Sequence, residues 1–270
     1  MLDQSNVEEF SRIGATCIRN FFDSQEMDMI ADGISAVVSK PSPMLDIFEK
    51  NEAGEPVFFN DFNNWRRVPE LKEICTSKKL GVAVAHLLQS ESVYLFHDHV
   101  IIKKHESQRP TPWHIDKTYF MLDGPKTVSF WIPTEDLPEN ESLKFAIGSH
   151  KERKLFMPKG FSKENPLESA EVFVPFTPEQ VDRDYESISW PTKRGDLLAF
   201  SYYTFHSAPT NDVTVDRNTL SIRLFGDETT FDGRVENPAP PFTRMGYKGE
   251  HGASLSERWF PKIHDSSRNA

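Results

Sequence analysis

The sequence predicts a mainly β protein: a double-stranded β-helix (jelly roll, cupin-like) core with helices packed on one sheet. Three observations carry that expectation. Helical apolar spacing is confined to residues 1–92. From residue 93 onward, short runs rich in β-branched and aromatic residues follow one another, separated by Pro, Gly, Asp and Asn clusters. Aromatics make up 12% of the 270 residues, 21 of them Phe, which favours strands and supplies a sizeable core.

The elements follow in order. Asp23, with Glu26 three residues on, reads as a capping box, and Met27, Ile30, Ala31, Ile34, Val37 and Val38 recur at helical spacing, which predicts a helix over 24–39. A second helix opens near Ser77 with Leu80, Val84, Leu87 and Leu88 as its face. Strands are expected at 93–96, 99–103, 127–132, 143–147, 171–176, 196–200 and 220–225. All of this fits one domain over 1–270: a helical part to about 92, a core over 93–228, and a C-terminal loop and tail over 229–270. The long polar connections 151–170 and 231–252 are expected to flank the mouth of a site and to order on binding.

Charge and cysteine usage narrow the function. Lys and Arg number 31 against 41 Asp and Glu, a net charge of −10, which leaves no broad basic surface for nucleic acid. The N-terminus shows no secretory pattern and no run approaches the ~18 apolar residues of a membrane span. Cys17 and Cys75 form neither a disulfide framework nor a zinc spacing. A cytoplasmic protein acting on a small molecule is expected, with no nucleic-acid or membrane partner.

The informative segment is Thr111-Pro112-Trp113-His114-Ile115-Asp116. On an extended chain residues i and i+2 face the same way, so His114 and Asp116 can present a nitrogen and a carboxylate oxygen to one point. A non-haem Fe(II) site needs a third ligand and open positions. His206, directly after the strand-like Gly195-Asp196-Leu197-Leu198-Ala199-Phe200 and the turn that follows it, is the candidate. His97 and His99 share a face, but no third partner follows from their spacing.

With these residues in place, the chain resembles the phytanoyl-CoA dioxygenase-like family of Fe(II)/2-oxoglutarate-dependent oxygenases, from a strand over 14–22 and its helix to about residue 227. The resemblance rests on the H-x-D pair, the lead-in to Trp113-His114, Trp131-Ile132, Gly148-Ser149-His150, and His206-Ser207-Ala208-Pro209-Thr210-Asn211. It implies that His114, Asp116 and His206 hold Fe(II) and carry catalysis. It also implies that Arg217, eleven residues past His206, binds the far carboxylate of the co-substrate 2-oxoglutarate. Arg223, of the same strand parity, is the competing candidate, otherwise lining the substrate side or pairing structurally. Lys103 and Ser129 are expected to face the co-substrate, and Trp113, Tyr119 and Arg223 the substrate. Relatives often carry Asn-Gly where this chain has Asn140-Glu141, which suggests a different turn there. Asp116 is intact, whereas halogenating relatives carry a small residue, so oxygenation with O2 is implied.

The expected activity is hydroxylation of an unactivated C–H bond with release of succinate and CO2. The alternatives are a cupin-like metal-dependent isomerase or hydrolase without O2 chemistry, and a non-catalytic binding jelly roll. Lys104, Lys117, Arg153 and Arg223 favour a small anionic substrate such as a carboxylate or phosphonate. Trp113, Tyr119, Phe120, Tyr202 and Tyr203 equally suit a larger natural-product intermediate.

Overall fold

A computed structural model describes residues 2–157, 173–208 and 215–269. The chain opens with helix α1 (Gln4–Ile13), closed by Gly14 at φ 92°, a left-handed position that glycine takes without strain. Strand β1 (Ala15–Ile18) follows, then α2 (Ser24–Ser39), which starts at the expected capping box of Asp23 and Glu26. The hairpin β2 (Asp46–Lys50) and β3 (Pro56–Phe62) comes next, and α3 (Pro69–Cys75) and α4 (Lys78–Leu88), capped by Ser77, complete the N-terminal part.

The remaining elements are β4 (Ser92–Lys103), β5 (Thr111–His114), β6 (Leu122–Asp123), β7 (Thr127–Pro133), β8 (Lys144–Ala146), α5 (Pro178–Asp184), β9 (Ser187–Ser189), β10 (Leu197–Phe200), β11 (His206–Ala208), β12 (Arg217–Gly226), β13 (Thr230–Phe231) and β14 (Lys262–Asp265). They form a jelly roll of antiparallel strands. The major sheet runs β1-β10-β7-β12-β4-β3-β2, with β14 also on β4, and the minor sheet runs β5-β11-β8-β9.

Alternation along the strands divides the core. Val128, Phe130 and Ile132 of β7 and Leu220, Ile222 and Leu224 of β12 pack under Ile30, Ile34, Leu71, Leu80 and Val84 of the helices. Residues of the opposite parity face the minor sheet, where Trp131, Leu198 and Phe200 meet Phe145 and Ala208. The helices therefore cover one face of the major sheet and leave its other face to line the interior.

Four sequence expectations change. The runs 93–96 and 99–103 are one twelve-residue strand, β4, because the polar triple His97-Asp98-His99 is accommodated within it: Asp98 accepts from the Trp65 N–H at 2.8 Å on the helical side. The strand expected over 14–22 is β1, but β2 and β3, in the part read as helical, also join the major sheet. Within 171–176, Val174 makes only an isolated bridge to Phe156, and residues 171 and 172 lie outside the described residues. Much of the connection 231–252 packs as a wall, with Phe242 and Asp232 fully buried and Tyr247 nearly so, while 244–246 and 248–252 are exposed. Most of 151–170 lies outside the described residues.

Candidate metal centre

β5 and β11 are neighbours in the minor sheet, and their register pairs His206 directly with His114. Asp116 opens the tight turn immediately after β5. One ligand atom from each of the three side chains lies within 4.8 Å of the others. His206 Nε2 is 3.8 Å from Asp116 Oδ1.

Both imidazoles are oriented by backbone carbonyls two residues upstream. His114 Nδ1 lies 2.9 Å from the Pro112 carbonyl and His206 Nδ1 3.0 Å from that of Thr204. A carbonyl only accepts, so each Nδ1 carries the proton and each Nε2 keeps its lone pair for a metal. Burial, then His114, pulls His206 down to about 3, and burial also lowers His114. Both rings are neutral at neutral pH.

Asp116 is held from the major sheet. Its Oδ2 accepts from Ser129 Oγ at 2.7 Å and pairs with Arg223 Nε at 3.2 Å. Burial alone would raise this carboxyl, but Arg223, then His206, His114 and Ser129, outweigh it and hold it at about 2. The Arg223 guanidinium lies between the rings of Phe120 and Phe200, 5.8 Å from each, and donates to Ser221 Oγ. Two neutral imidazole nitrogens and one carboxylate oxygen on the same point are the donor set that suits Fe(II) with positions left open.

Arg217 and Lys103 sit side by side at the other end of the interior, as register partners on β12 and β4. Both are buried. Arg217 Nη1 donates to the Glu141 carbonyl at 2.7 Å, and Lys103 Nζ to the Arg109 carbonyl at 2.7 Å. Burial, then the neighbouring Arg217 charge, lowers Lys103 to about 8, and burial lowers Arg217 to about 10. Two buried cations side by side repel, and an anionic group between them relieves that repulsion.

Several expected roles change with these positions. Ser129 is spent on Asp116 rather than presented to a co-substrate. Arg223, the competing candidate for the distal carboxylate, pairs with Asp116. Trp113 alternates with His114 and faces outward, where its Nε1 donates to Asp182 at 3.1 Å and its ring packs with Phe156, Val181 and Phe205. Tyr119 stays at the site, its ring 6.2 Å from that of His114. Lys117, expected to attract an anion, is fully buried against Asp232 at 2.6 Å, and Arg153 lies over Tyr203.

A family model for phytanoyl-CoA dioxygenase (PhyH) matches residues 10–219. The chain belongs to the phytanoyl-CoA dioxygenase family. Comparison with curated proteins by sequence gives no match. Among solved structures, this family member is similar to the non-haem α-ketoglutarate-dependent carbocyclase SnoK from nogalamycin biosynthesis, with a TM-score of 0.75 at 18% identity over 97% of this chain and 96% of that one. The epimerase SnoN in complex with Fe3+, α-ketoglutarate and nogalamycin RO gives 0.72 at 17% identity, over 97% and 98%. EctD from S. alaskensis with 2-oxoglutarate and 5-hydroxyectoine gives 0.67 at 18% identity, over 92% and 85%. At these identities the likeness is one of fold.

Two features of this phytanoyl-CoA dioxygenase family member escape the sequence reading. The tie from Arg223 to Asp116 has no sequence signal beyond parity with Arg217. The Lys117–Asp232 pair joins residues far apart in the chain, and no local pattern marks it. His97 and His99, by contrast, share the parity of Lys103, and counting back along the strand places them on the interior face.

Proposed function

We propose that the chain is an Fe(II)- and 2-oxoglutarate-dependent dioxygenase that hydroxylates an unactivated C–H bond of a small molecule, with release of succinate and CO2. The convergence of His114, Asp116 and His206, with both Nε2 lone pairs directed away from their backbone anchors, carries this reading. Iron bound there, with 2-oxoglutarate and O2, supplies the oxidising power, while the chain orients and excludes water. Arg217 takes the far carboxylate of 2-oxoglutarate through its planar fork, with Lys103 adding charge beside it. Ser129 acts one contact away by fixing Asp116. The Fe3+, α-ketoglutarate and 2-oxoglutarate held by the SnoN and EctD structures support this cofactor pair and a small-molecule substrate.

A cytoplasmic location belongs to the same reading and is supported by two free, buried cysteines. Among the described residues no helix is long and apolar enough to cross a membrane.

Anaerobic addition of 2-oxoglutarate to the Fe(II)-loaded protein tests the cofactor assignment: a visible charge-transfer absorption is expected, followed by succinate release on admitting O2. Neither signal from metal-loaded protein would overturn it. Product mass then separates outcomes. A gain of one oxygen atom is expected, whereas an isomeric product, or one lighter by two hydrogens, would replace hydroxylation with epimerisation or ring closure on the same ligands.

A further inference from the structure

The interior face of β4 and β3 carries a polar wall that the metal chemistry does not use. His97 lies in register with Arg223, His99 with Ser221 and Phe62, and Asn60 with Ile101. By alternation all three side chains point into the same interior as Arg223, the partner of Asp116. His97 is fully buried and Asn60 nearly so, while His99 keeps partial access. His97 Nε2, His99 Nε2 and Asn60 Oδ1 are buried atoms with no hydrogen-bond partner.

The character of these atoms defines what would meet them. His97 Nδ1 lies 3.1 Å from the Asp98 carbonyl, so it carries the proton and Nε2 is an acceptor. Asn60 Oδ1 is an acceptor as well. His99 stacks on Phe62 with ring centroids 4.2 Å apart, which fixes the plane in which its Nε2 points. Phe120 and Phe242 stand 5.3 Å and 6.4 Å from His97 and give the wall apolar borders. Three buried polar atoms left unsatisfied carry a desolvation cost that bound hydroxyls, which can donate or accept, would offset.

The cations described nearby are otherwise engaged. Arg223 faces Asp116, Lys117 faces Asp232, and Lys103 and Arg217 lie at the far end of the interior. Nothing in this wall is charged.

We propose that His97, His99 and Asn60 form the specificity-determining surface for the primary substrate, and that this substrate is an uncharged molecule presenting hydroxyl donors rather than a carboxylate or phosphonate. The inference rests on the dioxygenase reading above and adds its substrate class. A hydroxylated, partly apolar molecule satisfies the acceptors with its hydroxyls and packs its carbon surface on Phe62 and Phe120. A cationic substrate is disfavoured by the metal and by Arg223.

The test begins with wild type, His99→Leu and His99→Gln, each loaded with Fe(II) and shown to develop the charge-transfer band with 2-oxoglutarate. Absence of that band from wild type would defeat the dioxygenase reading itself, and is thereby distinguished from failure of the substrate class. Band-competent enzyme is then offered two panels of similar size: methyl glycosides, inositols and polyphenols on one side, aliphatic carboxylates and phosphonates on the other. Expected is stimulation of succinate release by members of the neutral panel. In His99→Leu, kcat/KM for the active compound should fall about tenfold or more, mainly through KM. In His99→Gln most of that loss should be recovered, with the 2-oxoglutarate KM unchanged in both. Stimulation by the anionic panel alone, silence of the neutral panel, or an unaltered His99→Leu would each overturn the proposal.

Discussion

Each ligating histidine is oriented by a carbonyl of its own strand or turn, so the ligand set is in place before any metal arrives. Removing one ligand should therefore abolish metal retention without unfolding the chain. In His206→Ala, Fe(II) or Co(II) titration is expected to show binding weaker by at least about a hundredfold, with an unchanged far-UV circular dichroism spectrum. Normal affinity in that variant would remove His206 from the site. Arg217→Lys should raise the 2-oxoglutarate KM about tenfold or more with a smaller change in kcat, because a point charge cannot reproduce a planar fork. Arg223→Lys should instead weaken metal binding, since it disturbs the hold on Asp116. If the two phenotypes were exchanged, the arginine assignments would be exchanged with them. The ligand residues were legible because a strand's period of two makes H-x-D a converging pair. Partners of those residues were not, because parity gives the face of a side chain and not what lies opposite. Trp113 shows the rule working against the resemblance: next to His114 on a strand, it must point away from it.

At the scale of elements, the tight turn over Asp116–Tyr119 is tied to the C-terminal wall by the buried pair Lys117–Asp232, with Arg234 also holding Asp232. Ala239 N–H donates to the Tyr119 carbonyl at 2.9 Å and adds a second tie. Truncating one partner strands the other charge in the interior, which costs about 3–5 kcal/mol. Lys117→Met should fall at the lower end, because Arg234 still faces Asp232. Asp232→Leu should cost more, and Lys117→Met/Asp232→Leu together less than Asp232→Leu alone. Urea unfolding measures all three, and simple additivity would show that the pair is not the anchor. Helix α2 and the β7, β10 and β12 strands were legible from local signals: a capping box and short runs rich in β-branched, aromatic and aliphatic residues. α1 and β2 were not, since their largely polar sequences acquire a buried face only against the sheet and helices already in place, and the short apolar run of β3 was passed over between two helical stretches. β4 was read as two strands because its three central polar residues find partners or openings only in the tertiary structure.

Over the whole molecule, burial of neutral histidines sets the response to acid. Burial, then the charge of Arg223, pulls His97 down to about 3, against an ordinary value of 6.5. The stabilisation from keeping it neutral is present above 6.5 and drains as pH falls toward 3. Asp98, pushed up by burial to about 7, runs the other way and favours the fold at lower pH. With His206 and His114 lowered as well, the histidines outnumber it. The melting temperature of metal-free protein should therefore decline from pH 6.5 to 4, and His97→Gln should flatten that decline; a flat profile in wild type would contradict it. The fold class was legible from the change of periodicity along the chain, whereas the way its two sheets close on each other was not. That closure passes through Asp116, whose turn continues the minor sheet while its carboxylate is gripped by Ser129 and Arg223 of the major sheet. A metal bound to His114, His206 and this carboxylate would add a further bridge between two sheets that the protein's own contacts already hold together. At free metal a hundred times its dissociation constant the folded form gains about 2.7 kcal/mol. A chelator would then remove that increment and lower the melting temperature without opening the fold.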